Sequence, residues 1–473
     1  MGRSQKLKPR APSERITFEV MTKPLRCMPG PRCWPGVGST LEYSPLGRYS
    51  FDRLHVAKKE NFARYGRIYQ ERMGPAVTLI QVFDPEDVAR VLRADGKCPM
   101  RPSIPITTVA HKRDGIPLGL GSLNGTDWHD VRKAIHRLMM RPGAAAVYLP
   151  VQNSVADDLV SFIMSERKAD GFVPNFLNLV TKYAMESIGA VCFKSRLGCL
   201  RRNPPQSAQE LLRASNDMFT AMQNTAFAFP CIAQRYIANI QENEQSDGDF
   251  ADCPHFFGTL LETPGVTMER VIGLTSELFI AGIDSWKIPI RPQTANALSF
   301  VLYNLSRNPD KQEILRDEIS RVLPNRKRLE KADLEEMKYL KACVKESFRL
   351  NFPIEGGTTR ILAKELELSG YVVPEKTMCL QEQYFDAPED FIPERWLKSG
   401  SGSLRAPPRY VFLPFGYGPR MCIGRRFAEQ EIYLAIVKIY QNFRTEYNGD
   451  AIGMINRVFT APDTPIAIKF TKL

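Results

Sequence analysis

The sequence has no unbroken run of about 18 or more apolar residues, so no membrane-spanning helix is expected. Its ten cysteines include no Cys-x-x-Cys pair. In a chain of this length that scatter points to reduced thiols, not to a disulfide scaffold. Zinc-finger spacing is absent, and so is any basic–aromatic repeat of the kind that binds nucleic acid. The net charge of +12 is then left to an anionic membrane or an acidic protein partner. Histidine is scarce, with five in the chain. His129 and His136 have no acids at ligand spacing and are ordinary helix residues.

What is present is ordinary globular composition, 43% hydrophobic and 25% charged. The length of 473 residues suits two to three domains, or one large and mostly helical body able to bury a cofactor. Residues 1–26 hold seven basic side chains (Arg3, Lys6, Lys8, Arg10, Arg15, Lys23 and Arg26) against Glu14 and Glu19. That bias suits a mitochondrial presequence. Pro9 and Pro12 interrupt any long helix there, and a plain disordered basic tail is the other reading.

The chain is organised around Phe412–Glu429, FLPFGYGPRMCIGRRFAE. Phe415, Gly416, Gly418, Arg420, Cys422 and Gly424 stand in a Phe-Gly-x-Gly-x-Arg-x-Cys-x-Gly order, and a helical pattern follows at once. A cysteine at a helix N-terminus beside arginine is expected to have a lowered pKa and to bind a soft or borderline metal as thiolate. The glycines let the backbone pass close to something flat and bulky, and haem is one such ligand. This stretch resembles the haem-thiolate loop of the cytochromes P450. Arg425, Arg426, Phe427, Ala428 and Glu429 resemble the mitochondrial type.

Four further elements, in the same order as in that family, carry the resemblance. Trp128 and Arg132 are four apart, on one helix face; the family uses such a pair to bond a haem propionate. Ala281-Gly282-Ile283-Asp284-Ser285 resembles the bend in the long central helix, where an acid and a hydroxyl relay protons to oxygen on the iron. Glu346 and Arg349, with Arg395 in Pro393-Glu394-Arg395-Trp396, match the Glu-Arg-Arg network that holds the cysteine loop. Arg360 and Arg420 resemble residues that contact haem propionates. The resemblance implies a mainly α fold with a smaller β-rich region, and haem b between the central helix and the cysteine-loop helix. Residues 1–28 are then a basic tail and residues 29–473 the haem-thiolate domain. The endoplasmic-reticulum type of the family has an N-terminal membrane anchor, and none is expected here.

Local signals fill in the rest. Pro75–Phe83 is expected as a strand. Asp84 is the N-cap of a short helix with Pro85 at its first position. Tyr148–Met164 and Phe172–Phe193 are helical, as are Leu211–Phe229 and Ile232–Asn243, whose apolar residues suit the roof of a hydrophobic cavity. Thr267 caps the central helix. Asp333 is expected to cap a helix containing Glu346, with Glu336 in the reciprocal position.

The chain departs from the family pattern twice. Eight residues, Trp286–Gln293 (WKIPIRPQ), stand between Ser285 and Thr294, and Pro289 and Pro292 each break a helix. If the insert bulges out, Thr294 takes the hydroxyl position; otherwise Ser285 is the alternative. After Met378-Cys379-Leu380 the usual connection is shortened, which puts strand pairing and support of the cysteine loop at stake.

The implied activity is hydroxylation of a hydrophobic, sterol-like substrate with dioxygen. No flavin or nicotinamide motif is present, so electrons must come from outside. In the mitochondrial type they come from a small acidic iron–sulfur ferredoxin and its reductase. Lys338, Lys341, Lys345, Arg425 and Arg426 are its candidate docking charges, the three lysines forming one helical stripe. The expected location is the matrix side of the inner mitochondrial membrane, with peripheral contact and no nucleic-acid partner. Two other readings remain at this point: a haem-binding isoform of little or no activity, and a non-catalytic lipid or sterol carrier on the same scaffold.

Overall fold

A computed structural model describes residues 22–43, 47–50, 53–74, 77–102, 118–173, 176–210, 260–262, 266–268, 270–271, 293–353, 359–381, 389–397, 410–456 and 460–473. Asp284, Ser285 and the segments expected to roof the cavity lie outside these residues, as does most of the 286–293 insert.

The chain opens with a short strand β1 (Lys23–Pro24), then helix α1 (Leu54–Tyr65), strands β2 (Ile68–Met73) and β3 (Val77–Val82), and helix α2 (Pro85–Ala94). Asp84 caps α2, accepting from the backbone of Glu86 and Asp87. Helices α3 (Gly125–Met140), α4 (Leu149–Glu166) and α5 (Phe176–Phe193) come next. Beyond residue 292 lie α6 (Gln293–Arg307), α7 (Pro309–Val322), α8 (Lys331–Glu336) and α9 (Lys338–Leu350). Short strands β4 (Arg360–Ile361), β5 (Leu366–Leu368), β6 (Tyr371–Val373) and β7 (Met378–Gln381) lead to helix α10 (Arg425–Asn442). Four strands close the chain: β8 (Phe443–Glu446), β9 (Met454–Asn456), β10 (Thr460–Pro462) and β11 (Lys469–Lys472).

One large apolar core joins the helices from α3 to α10, with Val155, Leu159, Val180, Leu298, Leu302, Leu434 and Val437 at its centre. A smaller core of Ile80, Val82, Val88, Val91, Leu362 and Val373 lies beneath the strands. The main sheet has the order β2-β3-β7-β4. β7 runs parallel to β3 (Leu79 opposite Met378) and antiparallel to β4 (Cys379 opposite Arg360). The shortening after Leu380 therefore leaves β7 paired on both edges. Backbone hydrogen bonds from Met378–Gln381 to β3 and β4 seat the strand, whatever the length of the connection beyond it.

Two local expectations change. Asp333 is not an N-cap: α8 starts one turn earlier, with Glu330 at the cap and Asp333 in the reciprocal third position. Nor does that helix reach Glu346, because Met337 leaves helical geometry and α9 starts afresh. The new N-terminus is capped from outside. Glu318 of α7 accepts the backbone N–H groups of Tyr339 and Leu340, each at 2.8 Å. At the other end of the chain, Lys23 and Pro24 from the basic stretch pair with Tyr371 and Val372 of β6. Gln70 then ties Leu25 and Met28 through their carbonyls. Gly30 lies against the Gln70 carbonyl so closely that a Cβ there would come to 2.0 Å.

Candidate active site

Cys422 lies between a glycine turn and α10. Gly416 and Gly418 have φ of 71° and 70°, a region closed to most side chains. The turn brings Phe415 back so that its carbonyl accepts the Cys422 N–H at 2.8 Å. The thiol is open to solvent, although protein surrounds it on many sides. Burial pushes its pKa up; the Gly424 backbone and the charges of Arg132, Arg101 and Arg425 pull it down without prevailing. The expectation of a lowered thiol pKa is thus reversed in the protein alone, because loss of water outweighs the helix end and three guanidiniums.

Next to the thiol four arginines converge. Arg420, 4% exposed, donates to the carbonyls of Pro99 and Leu123 and to Asn124 Oδ1, at 2.9, 2.9 and 2.7 Å. Its guanidinium stands 4.0 Å over the ring of Trp128, which is buried on the inner face of α3. Arg132, one turn further along that face, is also buried. Arg360 on β4 binds Asp95 at 2.5 Å and the Tyr417 carbonyl at 3.1 Å. Arg101 donates to the Arg420 carbonyl at 2.9 Å.

Burial and the charges of Arg101, Arg360 and Arg132 push Arg420 down to about 9. Burial, then Arg360, pushes Arg101 down to about 10. A guanidinium keeps its proton at neutral pH even so, and the cost stays in the site as repulsion. Asp95, itself raised by burial, is the carboxylate that answers this cluster. The Nε atoms of Arg101 and Arg132 are buried with no hydrogen-bond partner. Among the described residues, four guanidiniums, one carboxylate and two idle donors beside a thiol make a cradle short of negative charge.

On the other side of the loop, Glu346 of α9 is fully buried and accepts five hydrogen bonds. Arg349 supplies two (Nε at 3.0 Å, Nη2 at 2.9 Å) and Arg395 Nε one at 3.0 Å. The Ile392 N–H adds one at 2.9 Å and Trp396 Nε1 another at 2.8 Å. Arg349 also reaches the Asp390 carbonyl. Residues 390–396 are in this way fastened to α9, and the ring of Trp396 packs on Phe412 at the start of the cysteine segment, 4.5 Å between centroids.

Thr294, the second described residue of α6, is half-buried. Lys338 and Lys345 are exposed, Lys345 lying 5.9 Å over the Trp396 ring. Lys341 is partly covered; burial lowers its pKa, and it feels both Lys345 and Glu429. Arg425 pairs with Glu429 at 3.0 Å, and Arg426 donates to the Met140 carbonyl at the end of α3. The stripe and the head of α10 therefore share one side of the molecule. Arg101, Asp95 and Asn124 escaped the sequence reading. None has a periodic or motif partner nearby, and only folding brings them to Arg420.

The cytochrome P450 family profile matches residues 28–470. The chain belongs to the cytochrome P450 family. It is similar to a probable cytochrome P450 49a1 of Drosophila melanogaster, 30% identical over 95% of this chain and 83% of the relative. It is also similar to cytochrome P450 302a1, mitochondrial, of the same fly (28%, 96% and 96%). The 25-hydroxyvitamin D-1 alpha hydroxylase, mitochondrial, of Rattus norvegicus is 30% identical over 88% of this chain and 89% of the relative. P450s are monooxygenases that hold haem iron through a cysteine thiolate. The residues present in this P450 fit that group, with one accessible thiol and a neighbouring cationic cradle for two propionates. Among the described residues no cluster of three metal-ligating side chains exists, and no helix is long and apolar enough to cross a membrane.

Proposed function

We propose that this P450 is a mitochondrial haem-thiolate monooxygenase that hydroxylates a hydrophobic, sterol-like compound with electrons from an acidic ferredoxin and its reductase. The observation that carries the reading is the accessible Cys422 thiol beside the under-neutralised cluster Arg101, Arg132, Arg360 and Arg420. The names of the fly and rat relatives support the mitochondrial and sterol-like parts. The basic stretch before Thr22 is assigned to targeting.

When bound, the haem supplies dioxygen activation and transfer of one oxygen atom to a C–H bond. Cys422 would hold the iron through Sγ, as thiolate once its proton is lost. Arg101 and Arg132, with their unpartnered Nε donors, would hold the propionates, while Trp128 supports the Arg420 guanidinium. Glu346, Arg349 and Arg395 keep the loop still and take no part in the chemistry. Proton delivery falls to Asp284 with the hydroxyl of Ser285 or of Thr294. Lys338, Lys341, Lys345, Arg425 and Arg426 steer the acidic ferredoxin to the side where α10 begins.

A second reading, a haem-holding isoform of low turnover, has one observation in its favour. Pro289 and Pro292 stand in the eight residues before Thr294, and proline in a helix interior removes a backbone hydrogen bond. The test is the reduced carbon monoxide difference spectrum of the full chain supplied with haem. A Soret band at the thiolate position that vanishes in Cys422→Ser supports haem-thiolate ligation; no such band refutes it. Ferredoxin-supported oxidation then separates the active enzyme from the low-turnover isoform. Binding of a sterol without oxidation would favour a carrier.

A further inference from the structure

Helix α10 starts three residues after Cys422 and carries Glu431 on its buried face, 5% exposed. Glu431 Oε1 is enclosed without any hydrogen-bond partner. The hydroxyl of Ser187 on α5 serves the carboxyl. Ser187 in turn accepts from Gln152 Nε2 of α4 at 3.0 Å, and Gln152 Oε1 accepts from Gln430 Nε2 at 2.7 Å. Tyr183 of α5 donates to the Glu431 backbone carbonyl at 2.8 Å. Every one of these donors is neutral.

Among the described residues, the cations on the packed elements are engaged elsewhere. Lys438 of α10 pairs with Asp157 of α4 at 2.6 Å. Arg196 pairs with Glu186 of α5 and Asp158 of α4. Lys182 lies on the ring of Phe162, and Arg307 of α6 bonds the Tyr303 hydroxyl. Arg316 of α7 and Arg444 of β8 share Glu313. Before α4, Tyr148 packs its ring on Phe427. Tyr183 is the titratable side chain that feels Glu431.

We propose that Glu431 sits in the fold as an uncharged carboxylic acid and works as an alkaline-side release for the helix that follows the Cys422 loop. Burial holds its carboxyl well above the usual carboxylate range, with Ser187 opposing. Ionisation would leave a carboxylate in the seam of α4, α5 and α10 with a single hydroxyl donor, and the seam would open. The Gly424 backbone at the head of α10 hydrogen-bonds to Cys422, so the thiol moves with the helix.

The linkage has a definite sign. The native state keeps a proton that the unfolded chain has released. Stability is therefore full below the unfolded carboxylate pKa of about 4.3 and falls as pH rises toward the folded value. Thermal unfolding of the full chain between about pH 5 and about pH 9, wild type against Glu431→Gln, tests it. The curves should nearly meet at the acid end. Each further pH unit should then disfavour the wild type by about tenfold in its folding equilibrium relative to E431Q. Parallel curves, or E431Q less stable throughout, overturn the proposal. If E431Q does not fold, infrared spectra of the wild type with carbon-13-labelled glutamate decide: a neutral-carboxyl band at about pH 8 supports the proposal and its absence overturns it. The unfolding readout does not depend on the haem reading. A second readout does, namely loss of the thiolate-type carbon monoxide band at lower pH in wild type than in E431Q; equal loss in both overturns the release.

Discussion

Glu346 and the arginines around Cys422 are opposite solutions to buried charge. Glu346 meets two guanidiniums and two further N–H donors, so its charge is answered inside the protein. Replacing Arg349 by alanine breaks a fully enclosed pair and should cost about 3–5 kcal/mol in chemical denaturation. The arginine cradle is short of negative charge, and Arg101 and Arg132 keep idle buried donors. Arg101→Ala should therefore raise the unfolding temperature of the haem-free chain by relieving repulsion. The same change should weaken haem retention roughly 10–100-fold, read from the rate of haem transfer to an acceptor globin. Loss of stability in the haem-free variant would refute the account. The raised pKa of Cys422 likewise comes from burial, which no motif encodes.

Among the elements, α9 is the one most dependent on its neighbours. Met337 interrupts the helix, and the carboxylate of Glu318 on α7 supplies the missing cap. Glu318→Ala should destabilise the chain by about 1–2 kcal/mol in urea unfolding without altering the carbon monoxide spectrum. Thr294 was legible as a hydroxyl and Pro292 as a helix-breaking residue; Pro292 lies outside the described residues, which resume with α6 at Gln293. Deleting residues 286–293 should raise ferredoxin-supported turnover if the proline-bearing insert limits proton delivery, and an unchanged rate would count against that. The shortening after Leu380 put strand pairing at stake; β7 is paired on both edges, because a strand is seated by its backbone partners.

At the scale of the whole molecule, two apolar cores bracket the site: helices α3 to α10 on one side, the β2-β3-β7-β4 sheet with α2 on the other. The cysteine segment belongs between them, with Phe415 packed on the larger core and Leu413 on the smaller. The lysine stripe and the head of α10 face one way, and a net charge of +12 adds long-range attraction for an acidic partner. Ferredoxin-supported turnover should fall as ionic strength rises through the physiological range. Exchanging Lys341 and Lys345 for glutamate should lower kcat/KM at least about tenfold at low salt while leaving dithionite reduction unchanged. Equal loss in both assays would move those lysines from docking to structure.

The sequence by itself determined several of the described helices, the cap at Asp84, the position of the thiol and the pairing partners Glu346 and Arg349. All of these rest on neighbours in the chain or on motif spacing. Arg395 was legible only through family order. The tertiary structure alone decided that Arg101 and Asp95 join Arg360 and Arg420, that Glu318 caps α9, and that Glu431 is shut into the seam of α4, α5 and α10 with no cation on it among the described residues. Burial and charge balance belong to groups brought together from distant parts of the chain. They are properties of the enclosed space, which exists only once the helices and the sheet have packed.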